Sequence, residues 1–298
     1  MNNNKKSNII THDGTFHSDE IFAIALIKKF LKTKVSITRT RNKELLNKGI
    51  NDPETWVIDV GGVYQKENKN FDHHQRSFNE SWYNSIPLSS CGLIWNYLKE
   101  NNMLRLNKTV VRTIEKELIT KIDMHDNGVR KWNNAQVFSS YNRQKNNDIY
   151  FNKALKSALD FLDNIIYQAK TEYYEHNLFK KEMKNQETPN IFITNINISN
   201  LHRKITHFEL DSLAYVSPKN QEANNDWVAK STLQENSNFN CRCLAPKEWW
   251  GLEGKELVEA SNIEGAVFCH RNGFICVNET KEGAVKMAKE MIKNIQDD

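Results

Sequence analysis

From Asn8 to Ile122, short apolar runs alternate with helix-length segments, and this alternation constrains the fold more than any other feature of the chain. Asn8-Ile9-Ile10-Thr11 reads as a strand. Asp19 to Lys32 follows, apolar nearly all round, and so predicts a buried helix with Ser18 as its N-cap. Val35 to Thr40 alternates as a strand does, and Glu44 to Lys48 is a short helix. Trp56 to Val60 is a second buried strand, stopped by Gly61-Gly62. Ser89 or Ser90 caps a helix through Leu98, and Asn107 caps another to about Ile122. Strands separated by helices imply right-handed βαβ units, hence a parallel sheet with helices on both faces.

The segment from 152 to about 184 has neither Gly nor Pro and reads as a connector helix. Past Pro189 the character changes. Ile191 to Ile198, Ala214 to Ser217 and Trp227 to Leu233 look like strands of a mostly antiparallel sheet, and Gly254 to Asn262 like a helix. Ala266–His270 and Phe274–Val277 flank Arg271-Asn272-Gly273, a hairpin signal, and Thr280 caps a last helix through Ile295. The class is therefore α/β, with a domain over 1–150, a connector helix over 151–188 and a smaller α+β domain over 189–298.

No run approaches eighteen apolar residues, so no membrane span is expected. The polar N-terminus lacks the apolar core of a signal peptide, and five scattered cysteines suit a reducing compartment, so cytoplasm is the expectation. The formal net charge of +4 is mild, and affinity for nucleic acid would need local clustering.

The chemistry-bearing residues lie in the first domain. They are His12, His17 and Asp19; Asp59; Asp72-His73-His74; and Asp123 and Asp126. Each group is expected to follow a strand or open a helix, and ligands gather at the carboxyl ends of strands in open α/β sheets. Imidazole with carboxylate and no thiolate suits Mn²⁺ and related ions, Mg²⁺ among them. Two such ions about 3.5–4 Å apart can clamp the attacking and leaving oxygens of a phosphoryl displacement. Asp59, closing a buried strand, is costly there unless paired or bound to a cation.

The segments Thr11–Glu20, Val57–Gly62, Asp72–Phe78, Leu88–Leu93 and Asp123–Gly128 resemble the melanocyte-proliferating-gene (Myg) family, itself similar to the DHH phosphoesterases. The resemblance continues through Trp249–Leu252, Glu264–Phe268 and Lys281–Ala284, nearly the whole chain. It implies a manganese-dependent 3′-5′ exonuclease on single-stranded RNA, with a DHH-type domain and a C-terminal substrate-binding domain. It also implies that His12, His17 and Asp19 form the first metal motif, His17 standing where DHH phosphatases carry Asp. By the same likeness Asp59 is the bridging carboxylate, His73 a ligand, His74 its neighbour facing phosphate, and Asp126 the late ligand, with Asp123 as the alternative. The chain departs from the family after the last hairpin. Cys276-Val277-Asn278 stands where the family often has a small, Gly-rich stretch.

Arg76, beside Asp72-His73-His74, is a candidate phosphate contact, as are Arg39, Arg41, His270 and Arg271. Trp249, Trp250, Phe239 and Phe274 are candidates to stack bases. The cysteine spacing fits alternating strand residues better than a zinc site. Three other readings stay open: a phosphatase or phosphodiesterase on small substrates such as pyrophosphate or short oligonucleotides, a metal-binding scaffold without catalysis, and, weakest, a peptidase. The number of copies in the assembly, a homo-oligomer included, is left open.

Overall fold

The computed structural model describes residues 6–145, 147–219, 226–235, 237 and 239–295. The chain divides into two compact units, Met1–Thr171 and Glu172–Asp298.

In the first unit β1 (Lys6–Thr11) leads into α1 (Ser18–Leu31), then β2 (Lys34–Arg39), α2 (Lys43–Ile50), β3 (Thr55–Ile58), β4 (Tyr64–Gln65) and β5 (Asn70–Phe71). The sheet order is β2-β1-β3-β5-β4. The first four of these strands run parallel, with Ile9 opposite both Ile37 and Trp56, and β4 is an antiparallel edge. Successive side chains of β3 point to opposite faces. Val57 joins Leu46 and Ile50 of α2, and Gly49 lets that helix close on the sheet, since a Cβ there would stand 2.5 Å from the Ile10 side chain. Trp56, on the other face, stacks on Phe71 and meets Tyr97 of α3 (Ser90–Glu100) edge-on. Helices therefore cover both faces, and the central strand β3 is buried along its whole length.

α1 is wholly buried from Ser18 to Ile27, packed on α3 and α5. Its cap is His17, one residue before the expected Ser18, because Glu20 reaches back to the His17 amide at 2.9 Å. α4 (Lys108–Ile114), capped by Asn107, continues through a wide turn at Glu115–Ile119 into α5 (Thr120–Asp126). After α6 (Ala135–Ser139), α7 spans Asn147–Glu182. Its early part buries Phe151, Leu155, Ala158 and Leu162 at helical spacing, and Phe16 meets Phe151 edge-on at 5.4 Å. The boundary between the units falls within this helix.

The second unit holds β6 (Ile191–Ile193), α8 (Leu201–His207), β7 (Ala214–Pro218), β8 (Trp227–Ser231), α9 (Gly254–Ser261), β9 (Ala266–Cys269), β10 (Ile275–Asn278) and α10 (Lys281–Met291). Its sheet, ordered β6-β7-β8-β10-β9, is antiparallel apart from the β6–β7 pair. The Asn272-Gly273 turn closes the expected hairpin and sets Cys269 opposite Cys276. β6 stops at Ile193, well short of Ile198, and the last helix stops at Met291, short of Ile295. Among the described residues, no helix is long and apolar enough to cross a membrane.

Candidate metal centre

Strands β1, β3 and β5 lie side by side and parallel, so the residues just past their ends converge. His12 follows β1, Asp59 follows β3, and Asp72, His73 and His74 follow β5. The start of α1 adds His17, Asp19 and Glu20, and the end of α5 adds Asp126.

Asp59 is the hub. Its Oδ2 lies 3.3 Å from His12 Nε2 and its Oδ1 3.3 Å from His73 Nε2. Three groupings bring potential ligand atoms within 4.8 Å of one another: His12, His17, Glu20 and Asp59; Asp59, His73 and His74; and His17, Asp19 and Asp126. Asp59 and His17 each belong to two. His73 Nε2 is also 3.3 Å from Asp126 Oδ2 and 4.0 Å from Asp19 Oδ2. Asp59 carries φ of +57°, a left-handed conformation that costs a non-glycine residue about 1–3 kcal/mol and persists only where the surroundings enforce it. Gly61 and Gly62, with φ of +99° and +70°, turn the chain so that the Gly62 amide donates to Asp72 Oδ2 at 2.6 Å.

The electrostatics are those of a site built for cations. Asp19 is fully buried, and neither of its carboxylate oxygens has a hydrogen-bond partner among the described residues. Burial, with Asp59, Asp126 and Glu20 as like charges, holds its pKa well above the usual carboxylate range. Burial also raises Asp126. Burial opposes ionisation of Asp59, but hydrogen bonds from His12 and His73 outweigh it and hold Asp59 well below that range. His12 is depressed by burial yet lifted to about 10 by its bonds to Asp59 and Glu20. Without a cation the imidazolium serves as the counter-charge. Orphaned carboxylate oxygens, four imidazoles and no sulfur fit divalent ions of the Mn²⁺ or Mg²⁺ kind.

The site opens into a cleft of about 700 Å³ lined by His12, His17, Arg41, Asp59, Asp72, His73, His74, His125 and Asp126, with Val60-Gly61-Gly62 and Asn127. His74 is exposed at the mouth. Its Nδ1 lies 2.7 Å from Asp72 Oδ1, and that bond raises its pKa while lowering that of Asp72 against the effect of burial.

Not every sequence candidate sits here. Asp123 points away. It is fully buried, accepts bonds from Trp82 Nε1 (2.6 Å), the Ser89 amide and hydroxyl (3.1 and 2.6 Å) and the Gly92 amide (3.1 Å), and burial raises it to about 7. Arg76 is exposed and does not line the cleft. Arg39 is held by Gly14 O and Asp148 and packs on Phe151, so its guanidinium is engaged in structure. Sequence reading missed Glu20, which bonds His12 at 3.1 Å; its signal was an acid three residues past a helix cap.

In the second unit Trp249 is 3% exposed and belongs to the core, which leaves it no face for a base. Trp250 is half-buried, with Nε1 donating to Ala245 O at 2.8 Å and its indole over Gly273. A cavity of about 740 Å³ has Trp250, Phe274, Phe239, Lys230, His202 and Asn240 among its walls. Lys230 Nζ lies 5.7 Å from the Phe274 ring centre. Arg271 is exposed at the hairpin turn, and His270 meets Phe274 with ring centres 4.3 Å apart. Cys269 and Cys276 approach to 3.6 Å as a cross-strand pair, and none of the five cysteines joins the candidate ligands.

Residues 8–292 match the MYG1 exonuclease family model, described as "Uncharacterised protein family (UPF0160)". The MYG1 protein of Chlamydia pneumoniae is 30% identical over 288 residues, covering 91% of this chain and 92% of its own. The mouse protein named MYG1 exonuclease is 28% identical over 326 residues, covering 94% and 83%. Among solved structures, the pGpG-specific phosphodiesterase PggH from Vibrio cholerae aligns over 97% of both chains, with 12% identity and a TM-score of 0.31.

Proposed function

The chain belongs to the MYG1 exonuclease family, and from that premise we propose that it is a metal-dependent phosphodiesterase, a 3′-5′ exonuclease on single-stranded RNA that works with two Mn²⁺ ions. One observation carries the reading: Asp59 offers one carboxylate oxygen to the His12 side and the other to the His73 side, beside an Asp19 whose buried oxygens have no hydrogen-bond partner among the described residues.

His12, His17, Asp19, Asp59, His73 and Asp126 would hold the ions, with Glu20 orienting His12. Bound ions supply positive charge that makes water a nucleophile near neutral pH and offsets charge on phosphoryl oxygens. The remaining work falls to the chain. Asp59, with its two oxygens turned to the His12 and His73 sides, would supply the negative charge that lets neighbouring cations share the site. Asp72, fixed by the Gly62 amide, orients His74 and favours its imidazolium, which donates a proton-bearing nitrogen towards the mouth of the cleft where a phosphate would sit. Arg41 lines the same mouth and suits a phosphate oxygen. Aromatic walls beside Lys230 in the second unit suit a base and its phosphate, with Trp250 and Phe274 as stacking surfaces and His270 and Arg271 near the same hairpin.

The test is the purified full chain with Mn²⁺ and, in parallel, 5′-labelled RNA, the matching DNA, pyrophosphate and bis(p-nitrophenyl) phosphate. Stepwise shortening of the RNA, abolished by chelator, is the expected result. Activity undiminished by excess chelator contradicts the metal reading, and turnover of pyrophosphate alone moves the assignment to a small-substrate phosphatase.

A further inference from the structure

The stretch Leu88–Leu93 takes no part in the chemistry above, yet it reaches the metal centre through one hydroxyl. Ser90 Oγ lies 2.9 Å from Phe71 O and 3.3 Å from Asp59 Oδ1. Phe71 O is also the acceptor of the Asp59 amide, at 3.1 Å. Ser90 therefore meets both the carboxylate of Asp59 and the carbonyl that holds its backbone, at the residue whose φ is +57°.

Ser90 is the first residue of α3, so its position is set by where that helix begins. Asp123 fixes that start. Its Oδ1 takes the Ser89 amide, the Ser89 hydroxyl and the Gly92 amide, and its Oδ2 takes the indole N–H of Trp82. The carboxylate fits only because residue 92 is glycine, since a Cβ there would stand 2.2 Å from Asp123 Oδ2. A fully buried acid held by four donors, one turn before Asp126 on the same helix, is more than a helix cap requires.

We propose that Asp123 is a positioning residue: with Trp82 and Gly92 it fixes the first turn of α3 so that Ser90 holds Asp59 in its strained, ligand-presenting conformation. The proposal rests on the reading that Asp59 holds divalent ions. Partners behind metal ligands commonly change affinity by about 10–100-fold when removed.

The test is calorimetric titration of chelator-treated full-length protein with Mn²⁺, alongside the melting temperature of each metal-free chain. Ser90→Ala and Asp123→Asn should each weaken Mn²⁺ binding by about tenfold, and the double variant by no more than the weaker-binding single one, because both act on Asp59 by one route. In Asp123→Asn the new amide faces the indole N–H, donor against donor, so adding Trp82→Phe should restore part of the affinity. If wild-type protein binds no Mn²⁺, the metal reading fails, whatever Asp123 does. If wild type binds and a folded Asp123→Asn binds equally well, or if its effect adds fully to that of Ser90→Ala, the positioning role is overturned. Should Asp123→Asn not fold, Trp82→Phe alone serves. It loosens the same carboxylate, should weaken Mn²⁺ binding, and should again not add to Ser90→Ala; unchanged affinity overturns the proposal.

Discussion

The strand-end cleft of the first unit and the cavity of the second are similar in size and opposite in construction. The cleft gathers carboxylates and imidazoles, backed by an Asp19 with no hydrogen-bond partner among the described residues, in a setting that penalises charge. The cavity has Phe239, Trp250 and Phe274 and a single lysine among its walls, and its neighbours Trp249 and Cys276 are ordinary core. Frustrated polar groups mark where a cation is needed, whereas rings with edge polar groups mark where a flat ligand can be held. On the proposed reading, chemistry falls to the first unit and recognition to the second.

That division breaks first at Asp59. Asp59→Asn keeps the shape and removes the charge between the two sides of the cluster, so turnover should fall by at least about a thousandfold with the fold intact. Near-normal turnover by the variant would make Asp59 a strand end and the cleft an ordinary polar pocket. The next effect is on stability. Trp249→Ala empties core volume and should lower stability by about 3–5 kcal/mol, read as a fall in melting temperature. A variant of normal stability that binds RNA poorly would return Trp249 to the recognition surface. Phe274→Ala and Lys230→Ala should be milder and selective. Each should raise KM for RNA by about five- to tenfold while hydrolysis of bis(p-nitrophenyl) phosphate is unchanged, as loss of one base contact implies. Equal loss on both substrates would deny the division.

The smallest effect is with pH. His12 in the metal-free fold titrates near 10 rather than at its ordinary 6.5. Its bound proton therefore stabilises the fold fully below 6.5, and that contribution is lost as pH rises from 6.5 through about 10. Asp19, raised by burial, acts in the same direction as its proton leaves. The melting temperature of the metal-free chain should fall across this window, and saturating Mn²⁺ should flatten the fall, because bound cations replace the proton. Equal slopes with and without Mn²⁺ would place His12 outside the metal centre.

The sequence made the cleft legible and the cavity only partly so, for physical reasons. Asp and His set at the ends of apolar runs are rare enough to stand out, and parallel pairing brings those ends together. β4 and β5, at two residues each, are too short to show a period. Asp123 and Asp126 lie three apart on one helix, where spacing gives both the same face. Only the gap above Gly92 and the indole of Trp82, distant in sequence, separate a buried anchor from a group in the cluster. Trp249 and Trp250 are adjacent and alike in sequence, and only packing sends one into the core. The second cavity also draws His202 and Lys230 from separate elements, a convergence that no local pattern encodes.

The most direct measurement is metal stoichiometry. Equilibrium dialysis of the full chain against Mn²⁺, followed by metal analysis, should give two ions per wild-type chain and fewer than one per Asp59→Asn chain at the same free concentration. Wild-type protein that retains no Mn²⁺, or an Asp59→Asn variant that retains as much as wild type, would contradict a metal centre built around Asp59.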